Sequence, residues 1–443
     1  MKHDLTECPI LTGITQFALP YMLAYFLQVL YGLADLYVIG LYCDADATAS
    51  VANGVQVMYM FTVIMIALSM GGTVGIAKAV GARDSRSLLR TVGNTLTLFL
   101  IIALACSLIM LTLRDTIISA IGTPHEAVNG AADYLTICFA GIPFIVTYNI
   151  IASIFRGLGD TQRPMYFVAV ACAVNIILDF ILIGHFNMGP RGAALGTTLS
   201  QAFSVAVAVF YMRRHSEVSK LRLADMRPDR RTMSSILRIG VPVALQDGFI
   251  QLSFMIIMVI ANGRGMVDSA AVGIVEKFIG ILFIIPSAML ATVSAMGAQN
   301  IGAGKQDRAR ATLRSATIIA VSFGTIIACV MQLIPEHVVA LFTNDAQVIT
   351  KGADYLRGYV WDCVLAGIHF CFSGYFTACG MSIISFAHNF TAIIIARVPL
   401  AYLASAYFPT TLYPMGLATC TGSLLSAIIC ITVYLLLRHR NKI

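Results

Sequence analysis

Five polar side chains stand inside long apolar runs of this chain: Asp35, Asn175, Asp179, Thr197 and Thr198. Two are carboxylates, and the set presents oxygen ligands throughout. Asn175 and Asp179 are four residues apart, so on a helix they share one face. Hard oxygen donors with two negative charges suit a proton or a monovalent cation such as Na⁺. Two carboxylates held together in a low-dielectric site cannot both stay ionised cheaply, which makes such a pair able to exchange a proton. An ionisable group at mid-membrane costs roughly 2.5–3.5 kcal/mol on insertion scales, so each needs a reason to be there. The plainer reading of each residue alone is a helix–helix hydrogen bond.

The surrounding sequence must be helical and lie in lipid. The chain of 443 residues is 58% hydrophobic and 12% charged, and its mean hydropathy is +0.83. An average soluble domain carries about 25% charged residues. Twelve apolar segments are each long enough to cross a bilayer core: roughly 14–38, 53–77, 92–113, 131–155, 164–184, 192–212, 235–261, 269–297, 314–334, 353–379, 382–407 and 415–437. In lipid each must close its own backbone hydrogen bonds, so the fold class is an all-α polytopic membrane protein. The first apolar run is too long for a signal h-region and follows acidic Asp4 and Glu7, so it reads as an uncleaved helix. The eleven cysteines lie mostly in apolar segments with no CxxC pair, which argues against a disulfide framework or zinc site.

Basic residues set the topology. With a cytoplasmic N-terminus, inside connections hold 22 of the 29 Lys and Arg residues, from Lys2 to Lys442. Outside connections hold Arg114, Arg191, Arg264 and Lys351, and the helices hold Lys277, Arg357 and Arg397. The net charge of +7 is therefore a topology signal that also suits anionic lipid, not a nucleic-acid footprint. Both termini fall on the cytoplasmic side of the cell membrane. In this arrangement Asp35 sits late in helix 1, Asn175 and Asp179 late in helix 5, and Thr197 and Thr198 early in helix 6. All fall in the outer half of the bilayer.

The chain also repeats itself. Ala132-Asp133-Tyr134-Leu135 recurs as Ala353-Asp354-Tyr355-Leu356, 221 positions on. The same shift carries Gly81-Ala82 onto Gly302-Ala303 and Phe155 with Gly159 onto Phe376 with Gly380, and a shift of 222 carries Pro20 onto Pro242. Ordered matches at nearly one offset mark two six-helix units of parallel type, as in transporters with internal repeats. The domain reading is an N-lobe at 1–212, a cytoplasmic linker at 213–234 and a C-lobe at 235–443. Pro20 and Pro242 each bend the first helix of a lobe, either as a static packing kink or as a hinge.

The first-lobe acids have no second-lobe equivalents: Asp35 maps near Ile257 and Asp179 near Val398–Leu400. The second lobe offers Gln246 and Asp247 in helix 7, Glu276 in helix 8 and Asp362 in helix 10 as candidates to meet a cationic substrate in a cleft. Lys277 is a possible neutraliser of Glu276, although adjacent residues on a helix point apart. His369 and His388 read as packing or interface residues. Gly302-Ala303-Gly304-Lys305 lacks the spacing and the Ser/Thr of a phosphate loop, and no standard catalytic signature is present.

The chain resembles the multidrug and toxic compound extrusion (MATE) transporters over essentially its whole length. The likeness is carried by Leu30-Tyr31-Gly32-Leu33-Ala34-Asp35, by Phe155-Arg156-Gly157-Leu158-Gly159-Asp160-Thr161-Gln162-Arg163-Pro164, by Asn175 to Asp179, by Gly192-Ala193-Ala194-Leu195-Gly196-Thr197, and by Ala298-Gln299-Asn300-Ile301-Gly302-Ala303. The resemblance implies two six-helix lobes, a central cleft open alternately to each side, and export of cationic or amphipathic compounds against an inward H⁺ or Na⁺ gradient. It puts the first-lobe cation ligands on Asp35, Asn175, Asp179 and Thr197. Members that use helices 7 and 10 instead have their helix 10 acid near Ala366–Gly367 here, over a turn from Asp362. The counterpart of the charged helix 4 loop, Thr377-Ala378-Cys379-Gly380-Met381, has lost its charges.

The expected protein is thus a cation-coupled drug antiporter, monomeric, with no cofactor beyond the coupling ion, small-molecule drugs and membrane lipids as partners, and no nucleic acid. The rivals are a lipid or lipid-linked sugar flippase, which needs a basic cleft that only Arg357 and Arg397 supply, and a membrane-embedded enzyme, which needs clustered acids or metal ligands.

Overall fold

A computed structural model describes residues 5–215 and 217–440. Lys2 and Lys442 of the charge reading, and Asp4 before the first apolar run, lie outside the described residues. We number the helices that match the twelve predicted spans α1 Ile10–Tyr42, α2 Ala45–Gly81, α3 Ser85–Thr112, α4 His125–Ala140 with Ile142–Gly157, α5 Gln162–His185, α6 Gly189–Arg214, α7 Arg230–Asn262, α8 Met266–Gly302, α9 Gln306–Leu333, α10 Asp362–Cys379, α11 Ser382–Tyr407 and α12 Tyr413–His439. Eleven are long and apolar enough to span a bilayer singly, and α4 makes the twelfth as a pair bent by 50°. Pro143 opens the second piece of α4, where its missing N–H breaks the ladder and accounts for the bend. The span expected at 353–379 is likewise divided: a helix Ala346–Tyr359 stops two residues before α10.

The chain falls into two compact units. One is Leu19–Gly240; the other runs from Val241 onward and takes in the chain start up to Ala18. Each lead helix therefore changes unit beside its proline, α1 just before Pro20 and α7 just before Pro242. The chain start is held in the second unit by Lys305 Nζ, which donates to the Thr6 carbonyl at 3.1 Å, and by Arg308, which donates to the carbonyls of Leu5 and Cys8. The connection after α6 is not a loose strand. Its turn Leu223–Met226 docks on α3, where Thr97 Oγ1 donates to the Met226 carbonyl at 2.8 Å and the Asp229 N–H donates to Asn94 Oδ1 at 2.7 Å.

The repeated residues are the joints of the two units. Gly81 and Gly302 end α2 and α8. Gly159 (φ +88°) and Gly380 (φ +83°) take the left-handed conformation just past α4 and α10, and the backbone closes from Asp160 N to Phe155 O and from Met381 N to Phe376 O. Both ends are Schellman closures, which favour glycine at that position. The aspartate of the repeated tetrapeptide ties its helix to the next lobe segment in both units: Asp133 pairs with Arg191 at the start of α6, and Asp354 accepts from Thr411 just before α12. The last turn of α5 is a π-helix at Phe180–His185, and α11 carries another at Ile393–Arg397. Such widened turns concentrate at functional positions.

Candidate cation-binding site

In the first unit, α1, α5 and α6 bring the four predicted ligands together. Asp35 and Asn175 are each 1% exposed and Asp179 is 0% exposed. Thr197 Oγ1 donates to Asp35 Oδ2 at 3.0 Å. The carboxyl groups of Asp35 and Asp179 lie within hydrogen-bonding reach of each other, with the Asn175 amide beside Asp35. As two anions neither can donate to the other. Asp35 Oδ1, both Asp179 oxygens and Asn175 Oδ1 are accordingly buried acceptors without a donor. A buried acceptor left without a partner costs about 1–3 kcal/mol, so the arrangement calls for positive charge. Among the described residues no lysine or arginine acts on the pair. The donor set fits a shared proton or an oxygen-coordinated Na⁺.

Local sequence explains the close approach. Asp179 is the last residue before the π-turn of α5. Facing it on α6 is Gly196, where a Cβ would stand 2.3 Å from Asp179 Oδ1 and 3.5 Å from Asn175 Nδ2. Glycine thus makes the room in which the carboxylate sits.

Neighbours not predicted complete the wall. Tyr31, one turn before Asp35, is joined to Gln201, one turn after Thr197. Tyr134 lies beside Asp35 and Cys138. The i, i+4 spacing from Asp35 and Thr197 was the available signal for Tyr31 and Gln201, and the repeated tetrapeptide was the signal for Tyr134.

The second-unit candidates divide. Glu276 Oε1 accepts from Tyr355 at 3.0 Å, and Arg397 Nη2 donates to Tyr359 Oη at 2.7 Å. The two tyrosine rings meet edge to face at 5.5 Å. Arg397 is 6% exposed, acts on both Glu276 and Asp362, and stacks over Phe254 with 4.7 Å to the ring centroid. So the cation that acts on Glu276 is Arg397, while Lys277 is exposed. Asp362 is fully buried, with Ser423 beside it and its charge met by Arg397 from α11. Arg397 matches Asn175 at an offset of 222, so one position carries a neutral amide in the first unit and a fixed cation in the second. Tyr355 is the tyrosine of the second tetrapeptide, so each copy sets a phenol beside an acid. Gln246 is buried with both amide atoms unpartnered, and half-buried Asp247 makes no ion pair among the described residues. His388 is bonded to Ser373 and Ser426, with His369 packed on its ring.

Two six-helix repeats and a buried polar site in the first define a membrane transporter of internally duplicated type. The MatE family model matches residues 20–181 and 242–403, one match per repeat, and the chain belongs to that family of multidrug efflux transporters. Among similar curated proteins are the probable multidrug resistance protein YoeA of Bacillus subtilis, 24% identical over 89% of this chain and 87% of the relative, and the multidrug export protein MepA of Staphylococcus aureus, 26% identical over 91% and 89%. A MATE solved in complex with MaL6 superposes with a TM-score of 0.90 at 23% identity, covering 99% of this chain and 97% of that one. An outward-facing multidrug resistance MATE transporter of the MOP superfamily also gives 0.90 at 24% identity, over 99% and 98%. These likenesses establish the fold.

Proposed function

We propose that this protein is a cation-coupled antiporter of the cell membrane, with both termini cytoplasmic, exporting cationic or amphipathic compounds by alternating access. The observation that carries the reading is the pair Asp35 and Asp179, buried together with three of their four oxygens unpartnered and no basic residue acting on them among the described residues. In the proposed cycle H⁺ or Na⁺ enters from outside and supplies the missing positive charge. Asp35, Asn175, Asp179 and Thr197 hold it. Loading closes the pair and draws α1 toward α5 and α6, and Pro20, where a backbone hydrogen bond is already missing, is the hinge. Pro242 plays the same part in α7. The loaded state binds drug less well, because coupling requires each ligand to discriminate between states.

In the second unit Asp247 is the residue proposed to meet a cationic substrate, with Gln246 as its polar neighbour, because it carries no ion pair. Glu276 and Asp362 contribute less, since Arg397 already offsets them. The flippase alternative is disfavoured by the same arithmetic of charge: Arg357 is bonded to Glu336 at 2.6 Å and Arg397 is enclosed with its acids. The protein acts as a transporter rather than an enzyme.

Proteoliposomes loaded with a fluorescent cationic drug, given first a ΔpH and then a Na⁺ gradient, test the reading. One gradient should drive efflux, and Asp35→Asn or Asp179→Asn should abolish it while the protein stays in the membrane. Full efflux by either variant refutes the assignment.

A further inference from the structure

A second site lies away from the carboxylate pair, at the start of α7. Two adjoining open clefts of about 650 and 700 Å³ share Arg230, Ser234 and Arg238. One adds Asp229, Arg231 and Ser235. The other adds Leu98, Pro228, Met233 and Leu237. The combined groove is basic at one end and apolar at the other.

Its depth fits the membrane interface. The 33 residues of α7 span about 50 Å, against a hydrocarbon core of about 30 Å. The unbroken apolar sequence begins near Val241, so the turns from Arg230 to Arg238 stand at headgroup level. Leu98, near the middle of α3, points the apolar end toward the core.

The groove has a firm floor. Asn94 and Thr97 of α3 hold the incoming chain at Asp225, Met226 and Asp229. The single acid in the lining is already engaged: Asp229 Oδ2 accepts from the N–H and hydroxyl of Thr232, which holds its carboxyl below the usual range. Asp229 thereby caps α7 itself, so the attraction rests on the arginine face. Planar guanidinium forks match phosphate oxygens in pairs, and the two serine hydroxyls add donors.

We propose that this groove binds the phosphate of an anionic phospholipid, with Arg230, Arg231 and Arg238 on the headgroup and Met233, Leu237 and Leu98 against the lipid's glycerol and first methylenes. Basic pockets among membrane helices recognise such headgroups, and each basic residue near the surface is worth about fivefold in association. The amphipathic lining favours a lipid over a free anion, which would leave the apolar half unused.

The test uses full-length protein in detergent, titrated by native mass spectrometry with phosphatidylglycerol, phosphatidylcholine or inorganic phosphate. Phosphatidylglycerol should bind at least about tenfold more tightly than phosphatidylcholine. The triple variant R230Q/R231Q/R238Q should lose that preference, R231Q alone should lose part of it, and the triple lysine variant should retain most. Efflux driven by the carboxylate pair is read separately, so loss of lipid preference with intact drug binding is distinguishable from failure of the transport reading. Equal binding of the two lipids by wild type overturns the proposal. So does an unchanged preference in R231Q and the triple glutamine variant, or displacement of phosphatidylglycerol by an equal concentration of inorganic phosphate.

Discussion

Gly196→Ala perturbs the carboxylate pair without altering any charge. The new Cβ would stand 2.3 Å from Asp179 Oδ1, and the shortest approach real Cβ atoms make is about 3.0 Å. The carboxylate or α6 must therefore yield by about 0.7 Å, in the part of the site where Thr197, the next residue, bonds Asp35. Overpacking of this kind costs about 1–3 kcal/mol. Alanine also gains roughly 1 kcal/mol over glycine in a helix, which masks part of the loss. Gly280→Ala in α8 isolates the steric share, because a Cβ there meets nothing within 4 Å while the helical gain is common to both. The difference between the two variants should be about 1–3 kcal/mol. For a unit of some 220 residues this is about 2–12 °C in melting temperature. Thermal unfolding in detergent reads that difference, and gradient-driven efflux should fall in Gly196→Ala alone. If the two variants melt together and both transport normally, Gly196 does not make the room assigned to it.

Further outcomes follow from the charges and backbone described above. Arg397→Ala removes the cation that acts on Glu276 and Asp362 together with its bond to Tyr359, and should cost about 1–3 kcal/mol, seen as a lowered melting temperature, with Arg397→Lys losing less. Arg83 takes a left-handed φ of 54° just past α2, where the second repeat has Gly304 at 73°. Arg83→Gly should therefore stabilise the first unit by up to about 1 kcal/mol in the same melting assay, since the strain of a side chain there is removed.

The twelve spans and the duplication were legible because lipid imposes one solution on each long apolar run and because the matching residues lie at helix ends and in closures. The grouping of Asp35, Asn175, Asp179 and Thr197 was legible because polar residues in apolar helices are few and three helices agree in depth. Other features were hidden for physical reasons. Apolar runs report that a helix is buried but not which neighbour it meets, so Arg397 was not connected to Glu276, 121 positions earlier. The split before α10 leaves no proline in its sequence, unlike the bend in α4. The docking of the 213–234 connection depends on single side chains, Asn94 and Thr97, whose partners lie some 130 residues away.

The division of the lead helices has a consequence during synthesis. The chain's first turns belong to a unit whose other members begin at Val241. At about 5–20 residues per second, roughly 10–45 s pass between the ribosome releasing one and making the other. Throughout that interval the segment ending at Ala18 waits for the rest of its unit, and the second unit can close only by recruiting a piece made before nearly all of the first.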